Sequence, residues 1–473
     1  MYSPEYTFLV LTQNLSPRNI NLKAQFGSKI GLIAATVGSA VGLGNIWRFP
    51  AEVQANGGAA FLIVYIACVF LLGIPVMLGE FALGRYGQTD AVGVYRKLSP
   101  GTPWWMTGLI GIVASYVILS FYTVVAGWTF EYLFQSITGE LYETIPGDAP
   151  GSTAQFADRM AQYVSSTWKP ILYTVVVIAI NLGVLLKGVQ KGIERLSNLL
   201  MPLLFCLLAI FVVVALQLPG AGEGLSFFLT PDFSKITPKV VIDALGQSFF
   251  SLSLGMGVLI TYASYFPRDT RLTKTAVTVS VLDLLVAVMV GLIIFPAVMS
   301  FGLQGESFEG ATLVFVTLPE VFARMAGTQI WSILFFLLLF VAALTSTISI
   351  GEVSVAYFSD HLKMTRKKAC LAVMLPLLVF SPICSLSNGV LSDFRIFGMT
   401  IFSCLDAFST NILLPLGGLL MSIYLGWVAP KGFMKTQLTN DGQHPTRSAG
   451  LVSFILKWIA PVLILIIFVA GLL

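Results

Sequence analysis

The sequence predicts an all-α integral membrane protein of about 11 transmembrane helices, a 5+5 inverted repeat with broken helices 1 and 6 plus one appended helix. Three observations predict it. Of 473 residues, 56% are hydrophobic and only 11% charged, with a mean hydropathy of +0.86, against roughly 25% charged residues in soluble domains. Uncharged stretches such as 199–218 are long enough to cross hydrocarbon once at about 1.5 Å per residue. Two apolar stretches are interrupted by glycines, Ser39-Ala40-Val41-Gly42-Leu43-Gly44-Asn45 and Ser253-Leu254-Gly255-Met256-Gly257, and they align Gly42 with Gly255 and Gly44 with Gly257.

The crossings follow at 24–55, 57–84, 104–135, 169–186, 195–218, 241–266, 273–302, 330–360, 368–386, 398–428 and 450–473. Charge marks their limits. Arg85, Arg96 and Lys97 close the second, and the polar, acidic segment 140–168 separates the third from the fourth as the largest outer loop. Lys187, Lys191 and Arg195 precede the fifth, Arg268, Arg271 and Lys274 the seventh, Lys363, Arg366, Lys367 and Lys368 the ninth, and Lys431, Lys435 and Arg447 the eleventh. With the N-terminus inside, 19 of the 27 Lys and Arg fall on the cytoplasmic side, as the positive-inside rule requires. The predicted product is a multi-pass protein of the plasma (inner) membrane with a cytoplasmic N-terminus and an outside C-terminus. The net charge of +4 therefore reports topology and gives no reason to expect nucleic acid. Residues 1–22 lack the features of a signal peptide and read as a cytoplasmic tail. The five cysteines stand singly in apolar surroundings, so no disulfide is expected.

Five crossings are an odd number, so two such halves enter the membrane from opposite sides. The expected organisation is 23–218 for the first repeat, 219–428 for the second, and 429–473 for the following loop and eleventh helix. A spanning helix keeps its backbone hydrogen bonds internal because lipid offers no replacement, and Gly-x-Gly weakens it. Paired breaks would present free carbonyls and amides near the midplane, where ions and substrate bind in transporters. The alternative is that the small residues serve close helix packing. Intramembrane charges point to function because they are costly. Arg48 follows the first break, Asp406 lies in the outer part of the tenth helix, Glu52 and Glu80 flank the first two crossings, and Asp283 stands alone between Leu282 and Leu284. Arg48 and Asp406 could each snorkel to the interface. A lone carboxylate at the depth of Asp283 is expected to be protonated or matched to a cation. No HExxH, GxSxG or Walker A pattern occurs, and both histidines, His361 and His444, fall in predicted loops, so an enzyme is not expected.

The stretch from Gly38 to Phe61, with Leu119-Ser120-Phe121-Tyr122, Gly246 to Ser253, Leu344-Thr345-Ser346 and Asn411 to Gly418, resembles the neurotransmitter:sodium symporters, in particular the eleven-helix bacterial amino-acid transporter branch. The resemblance runs from about Lys23 to Trp427. It implies two Na+ ions. For the first, the pattern points to the Ala40 carbonyl, Asn45, Ser251, Asp283 and the substrate carboxylate; for the second, to carbonyls of Gly38, Val41 and Ala342 and hydroxyls of Thr345 and Ser346. Thr345 and Ser346 could instead satisfy carbonyls of their own helix. Chloride-requiring relatives place an anion in a site that corresponds to Tyr65, Gln247, Ser251 and a serine; that last position is Ala287 here, with Asp283 nearby, so chloride is not expected to be required.

By the same resemblance, amides around Leu43 and Gly44 with Tyr122 hold a substrate carboxylate, and carbonyls of Ala40, Phe250 and Ser253 receive its amino group. Relatives that carry biogenic amines bear an aspartate at the position of Gly42, so an amino acid is expected here. Val41, Ile118, Tyr122, Phe250, Met256, Ser346 and Ile350 would surround its side chain, mostly apolar and without a charge, which predicts a neutral hydrophobic or aromatic ligand. Tyr122 and Met256 also fit ordinary packing. The outer gate corresponds to Arg48, Asp406 and Phe250, and the inner gate to Lys23 and Phe26 facing Asp360 and Tyr265. The expected activity is sodium-coupled import of an amino acid by alternating access. A substrate-sensing receptor or a channel on the same scaffold is the other reading.

Overall fold

The computed structural model describes residues 24–147, 149–303, 310–444, 446 and 448–472. Among the described residues there are eighteen helices of six residues or more. They are α1 (Lys29–Ala40), α2 (Gly44–Ala55), α3 (Ala59–Gly87), α4 (Ala91–Leu98), α5 (Trp105–Thr138), α6 (Thr153–Ser165), α7 (Trp168–Leu186), α8 (Val189–Ala215) and α9 (Ala221–Leu229). There follow α10 (Pro238–Ser251), α11 (Val258–Ala263), α12 (Leu272–Phe301), α13 (Leu313–Ala323), α14 (Thr328–Asp360), α15 (Arg366–Leu386), α16 (Ile401–Val428), α17 (Phe433–Thr439) and α18 (Ala449–Ala470). Among the described residues, α3, α5, α7, α8, α12, α14, α15, α16 and α18 are each long and apolar enough to cross a membrane. The pair α1 and α2, bent by 53° at its break, forms a further span, and α10 with α11 supplies the interrupted sixth crossing. No strand occurs among the described residues.

Capping explains where the key helices start. Ser28 accepts from the Gly31 amide at 2.9 Å to begin α1, and Thr237 caps α10 with Pro238 at its first position. Glu194 of α8 accepts from the Gly27 amide at 2.7 Å and the Ser28 hydroxyl at 2.8 Å, which ties the head of α1 to the fifth crossing. That crossing begins at Val189 in a π-helical turn, earlier than the 195 expected from its charges. Lys191 and Glu194 thus belong to the helix, and Glu194 faces inward because it has donors to meet. The 140–168 segment contains α6, and α13 lies between the seventh and eighth crossings; both are too short or too polar to read as spans. α5 and α14 pack along each other at the centre, with aromatic contacts such as Tyr132 against Phe336 at 5.1 Å. None of the five cysteines is bonded to another.

Candidate functional site

Both glycine-rich segments leave the helix. α1 stops at Ala40, and Val41 turns to an extended ψ of 111°. The amides this frees find side-chain acceptors: Leu43 donates to Tyr122 Oη at 3.0 Å and Gly42 to Asn45 Oδ1 at 3.3 Å. Between α10 and α11 the chain runs through left-handed backbone at Ser253 (φ 54°), Gly255 (φ 82°) and Gly257 (φ 74°). Glycine takes that conformation freely, whereas Ser253 is held there at a cost of order 1–3 kcal/mol. Its hydroxyl donates to the Ser39 carbonyl at 2.9 Å, joining one break to the other. The Gly255 amide donates to Oε1 of buried Glu80 at 2.7 Å.

A polar cluster sits beside the breaks. Asn45 Nδ2 donates to Asp283 Oδ1 at 2.9 Å and to Ser251 Oγ at 3.1 Å, and Ser251 Oγ donates to Asp283 Oδ2 at 2.7 Å. All three side chains are buried. Gln247 donates to the Gly44 carbonyl at 3.2 Å, and Ala287 lies buried on α12 one turn beyond Asp283. The Ser251 and Asp283 oxygens suit a hard ion, while Asn45 turns its Nδ2 toward both and keeps its Oδ1 on the Gly42 amide. On the opposite side of α1, Ser346 Oγ donates to the Val41 carbonyl at 3.2 Å, and Thr345 Oγ1 donates to Val341 and Ala342 carbonyls, each at 3.1 Å. A methyl group on Gly38 would meet Thr345 Cβ at 3.3 Å. Gly38, Val41, Ala342, Thr345 and Ser346 are thus gathered across α1 and α14, with the two hydroxyls bonded to carbonyls.

Between the two breaks lies a cavity of about 40 Å³. Ala40, Gly42, Gly44, Ile118, Tyr122, Phe250, Ser253, Met256, Ser346 and Ile350 border it, together with Ser39 and Ser251. Val41 and Leu43 are buried but do not border it. No charged side chain lines it. A Cβ on Gly42 would stand 2.7 Å from Ser346 Oγ and 2.9 Å from Tyr122 Oη, so the backbone here leaves no space for an acidic side chain.

The expected gates divide. Phe250 separates this cavity from an outer one of about 170 Å³ that Arg48, Glu52, Asp243, Thr410 and Asn411 help to line. Arg48 does not pair with Asp406 in this structure. It pairs with Glu52 one turn along α2 at 3.6 Å and lies over the Phe250 ring at 4.7 Å, while Asp406 accepts from Thr410 at 3.4 Å. The carboxylate four residues along the same helix takes the guanidinium. On the other face, Lys23 lies outside the described residues. Phe26 stands edge-on to Tyr265 at 6.3 Å, and its amide donates to the Tyr265 carbonyl at 3.0 Å. Tyr265 Oη donates to Glu352 at 2.6 Å, and Arg366 grips the same carboxylate with two bonds of 2.7 and 2.6 Å. Asp360 closes α14 two turns beyond Glu352.

Glu80, Glu194, Ser39 and the Glu352–Arg366 pair were not foreseen in these roles. The signal for Glu352 was present: it is an acid inside the apolar run Ser349-Ile350-Gly351-Glu352-Val353, as conspicuous as Asp283. Its partner is not legible because Arg366 reads as one more charge of a loop.

Residues 23–147 and 152–473 match the profile of the sodium:neurotransmitter symporter family. An uncharacterized sodium-dependent transporter of Bacillus subtilis (strain 168) is 37% identical over 94% of this chain and 96% of its own length. A second, from Haemophilus influenzae, is 34% identical over 96% of this chain and 99% of its own length. Among solved structures, MhsT in complex with L-phenylalanine superposes with a TM-score of 0.85 at 41% identity, covering 95% of this chain and 99% of that one.

Proposed function

This chain belongs to the sodium:neurotransmitter symporter family, and we propose that within that family of sodium-dependent transporters it imports a neutral, hydrophobic or aromatic L-amino acid. The cavity between the breaks carries this reading. It has apolar walls, no charged side chain, and a glycine backbone at residue 42 where an acidic side chain would have to pair with an amine lacking its own carboxylate. The structural neighbour binds L-phenylalanine, which agrees with the apolar walls contributed by Ile118, Phe250, Met256 and Ile350. At about 40 Å³ the space holds water rather than a large side chain, so Met256 and Phe250 must rotate to admit the ligand; thioether flexibility makes Met256 suited to that.

In the proposed mechanism the substrate carboxylate meets the amides of Leu43 and Gly44 and the Tyr122 hydroxyl, and its ammonium meets carbonyls of Ala40, Phe250 and Ser253. Asn45, Ser251 and Asp283 with the Ala40 carbonyl hold one co-transported Na+, and Gly38, Val41, Ala342, Thr345 and Ser346 hold the other. The fixed charge of Asp283, beside Ala287, supports transport that does not need chloride. Each Na+ spans a break, so its binding orders the backbone that the amino acid contacts, and coupling follows. The repeats 23–218 and 219–428 then rock about this site, with 429–473 outside the repeat and the N-terminus cytoplasmic. Competition against labelled leucine uptake tests the side-chain assignment. Tryptophan, phenylalanine and tyrosine are expected to compete at lower concentration than alanine or glycine; a preference for glycine would exclude a large apolar site.

A further inference from the structure

We propose that a basic groove between the start of α1, the start of α12 and the segment after α17 is a binding site for an anionic phospholipid of the leaflet in which α1 begins. Two neighbouring cavities, of about 560 and 580 Å³, share Arg271, Lys274 and His444, and Lys29 borders the first. Among the described residues, Asp269 is the one carboxylate on their walls. Among the described residues, Lys29, Arg271 and Lys274 enter no ion pair. These cations surround the N-terminal end of α12, whose first turn contains no acid, so the positive end of the helix adds to their field. An anion removes that repulsion.

The occupant is a lipid because the groove has an apolar continuation. Leu32 and Ile33 line its α1 side, and below Lys274 the residues Val277, Val281 and Leu285 form an exposed stripe at helical spacing along α12. A headgroup phosphate among the cations would place an acyl chain along that stripe. Basic sites between transmembrane helices recognise anionic headgroups in this manner. The walls are preformed: Arg85 donates to the Thr270 carbonyl at 2.9 Å and to Gln437 Oε1 at 2.9 Å, which fixes α17 against the loop leading into α12.

The test is native mass spectrometry of the full chain released from vesicles of equal phosphatidylglycerol and phosphatidylcholine. Preferential retention of phosphatidylglycerol is expected, falling about fivefold for each groove charge removed, in Lys29→Gln, Arg271→Gln and Lys274→Gln singly and combined. Lys274→Arg is expected to retain it. Lys363→Gln with Lys367→Gln, which changes charge on the same face outside the groove, is expected to leave it unchanged, and millimolar inorganic phosphate is expected not to displace the lipid. The proposal is overturned if the single groove variants hold as much phosphatidylglycerol as the parent, if the control pair loses as much as the groove variants, or if inorganic phosphate empties the site. The single variants lie on exposed surface and keep the test decisive should the triple variant not fold.

Discussion

Among the described residues, Asp283 has no ion pair, and its two oxygens accept from Asn45 and Ser251. Hydrogen bonds of that kind do not neutralise a buried carboxylate, and a monovalent cation does. Asp283→Asn and Asn45→Ala are therefore expected to raise the sodium concentration needed for half-maximal substrate binding by about tenfold, within the usual range of coupling between sites, although neither side chain needs to touch the ligand's side chain. Replacing chloride by gluconate is expected to leave uptake unchanged. An unaltered sodium titration in both variants, or loss of uptake without chloride, would contradict these assignments. Asp283 was legible in the sequence because a charge between two leucines has no innocuous place in a span. Glu80 was visible but without a role, since its partner is a backbone amide 175 residues away that exists only because the sixth crossing is broken.

At the scale of the element, the two breaks differ in what enforces them. Gly42 is needed for space, while Gly255 is needed for conformation: its φ of 82° is one that side chains rarely adopt, and a Cβ there would strike the Leu414 carbonyl. Gly42→Ala is expected to abolish substrate binding with a smaller loss of stability than Gly255→Ala, because the Ser346 and Tyr122 hydroxyls can shift where the Leu414 carbonyl cannot. Gly255→Ala is expected to lower stability by roughly 1–3 kcal/mol. Thermal unfolding alongside binding separates the two, and equal effects of both variants on both readouts would refute the distinction. The breaks and nearly all crossings could be read from hydropathy and glycine placement. The early start of α8 could not, because Lys191 and Glu194 resemble a loop until Gly27 and Ser28 are seen to satisfy Glu194. The short α6 and α13, one too polar and both too short to read as crossings, pack against Tyr142 and α14.

Across the whole molecule, in the proposed orientation, the two ends of the proposed transport path are closed to different degrees. The outer side holds a cavity above Phe250 and an Arg48 paired with Glu52 within its own helix, both half-buried; a helix pair of i,i+4 spacing contributes only about 0.2–0.5 kcal/mol, so the proposed exchange from Glu52 to Asp406 on closure is cheap. The inner side is latched by Glu352, gripped by Arg366 and Tyr265. Breaking a buried pair by removing one charge costs about 3–5 kcal/mol. Glu352→Gln is accordingly expected to loosen the inner face, read as faster hydrogen exchange in Lys29–Ala40; unchanged exchange there would show that the latch lies elsewhere.

We propose that sodium and an amino acid share the broken midplane of this bundle and move together. Proteoliposomes loaded with potassium and diluted into sodium measure it directly, with labelled leucine or phenylalanine as the probe. Accumulation inside above the external concentration, abolished when the outward medium is also potassium, is the expected result. Binding without accumulation, or uptake indifferent to the sodium gradient, would show that the two are not carried together.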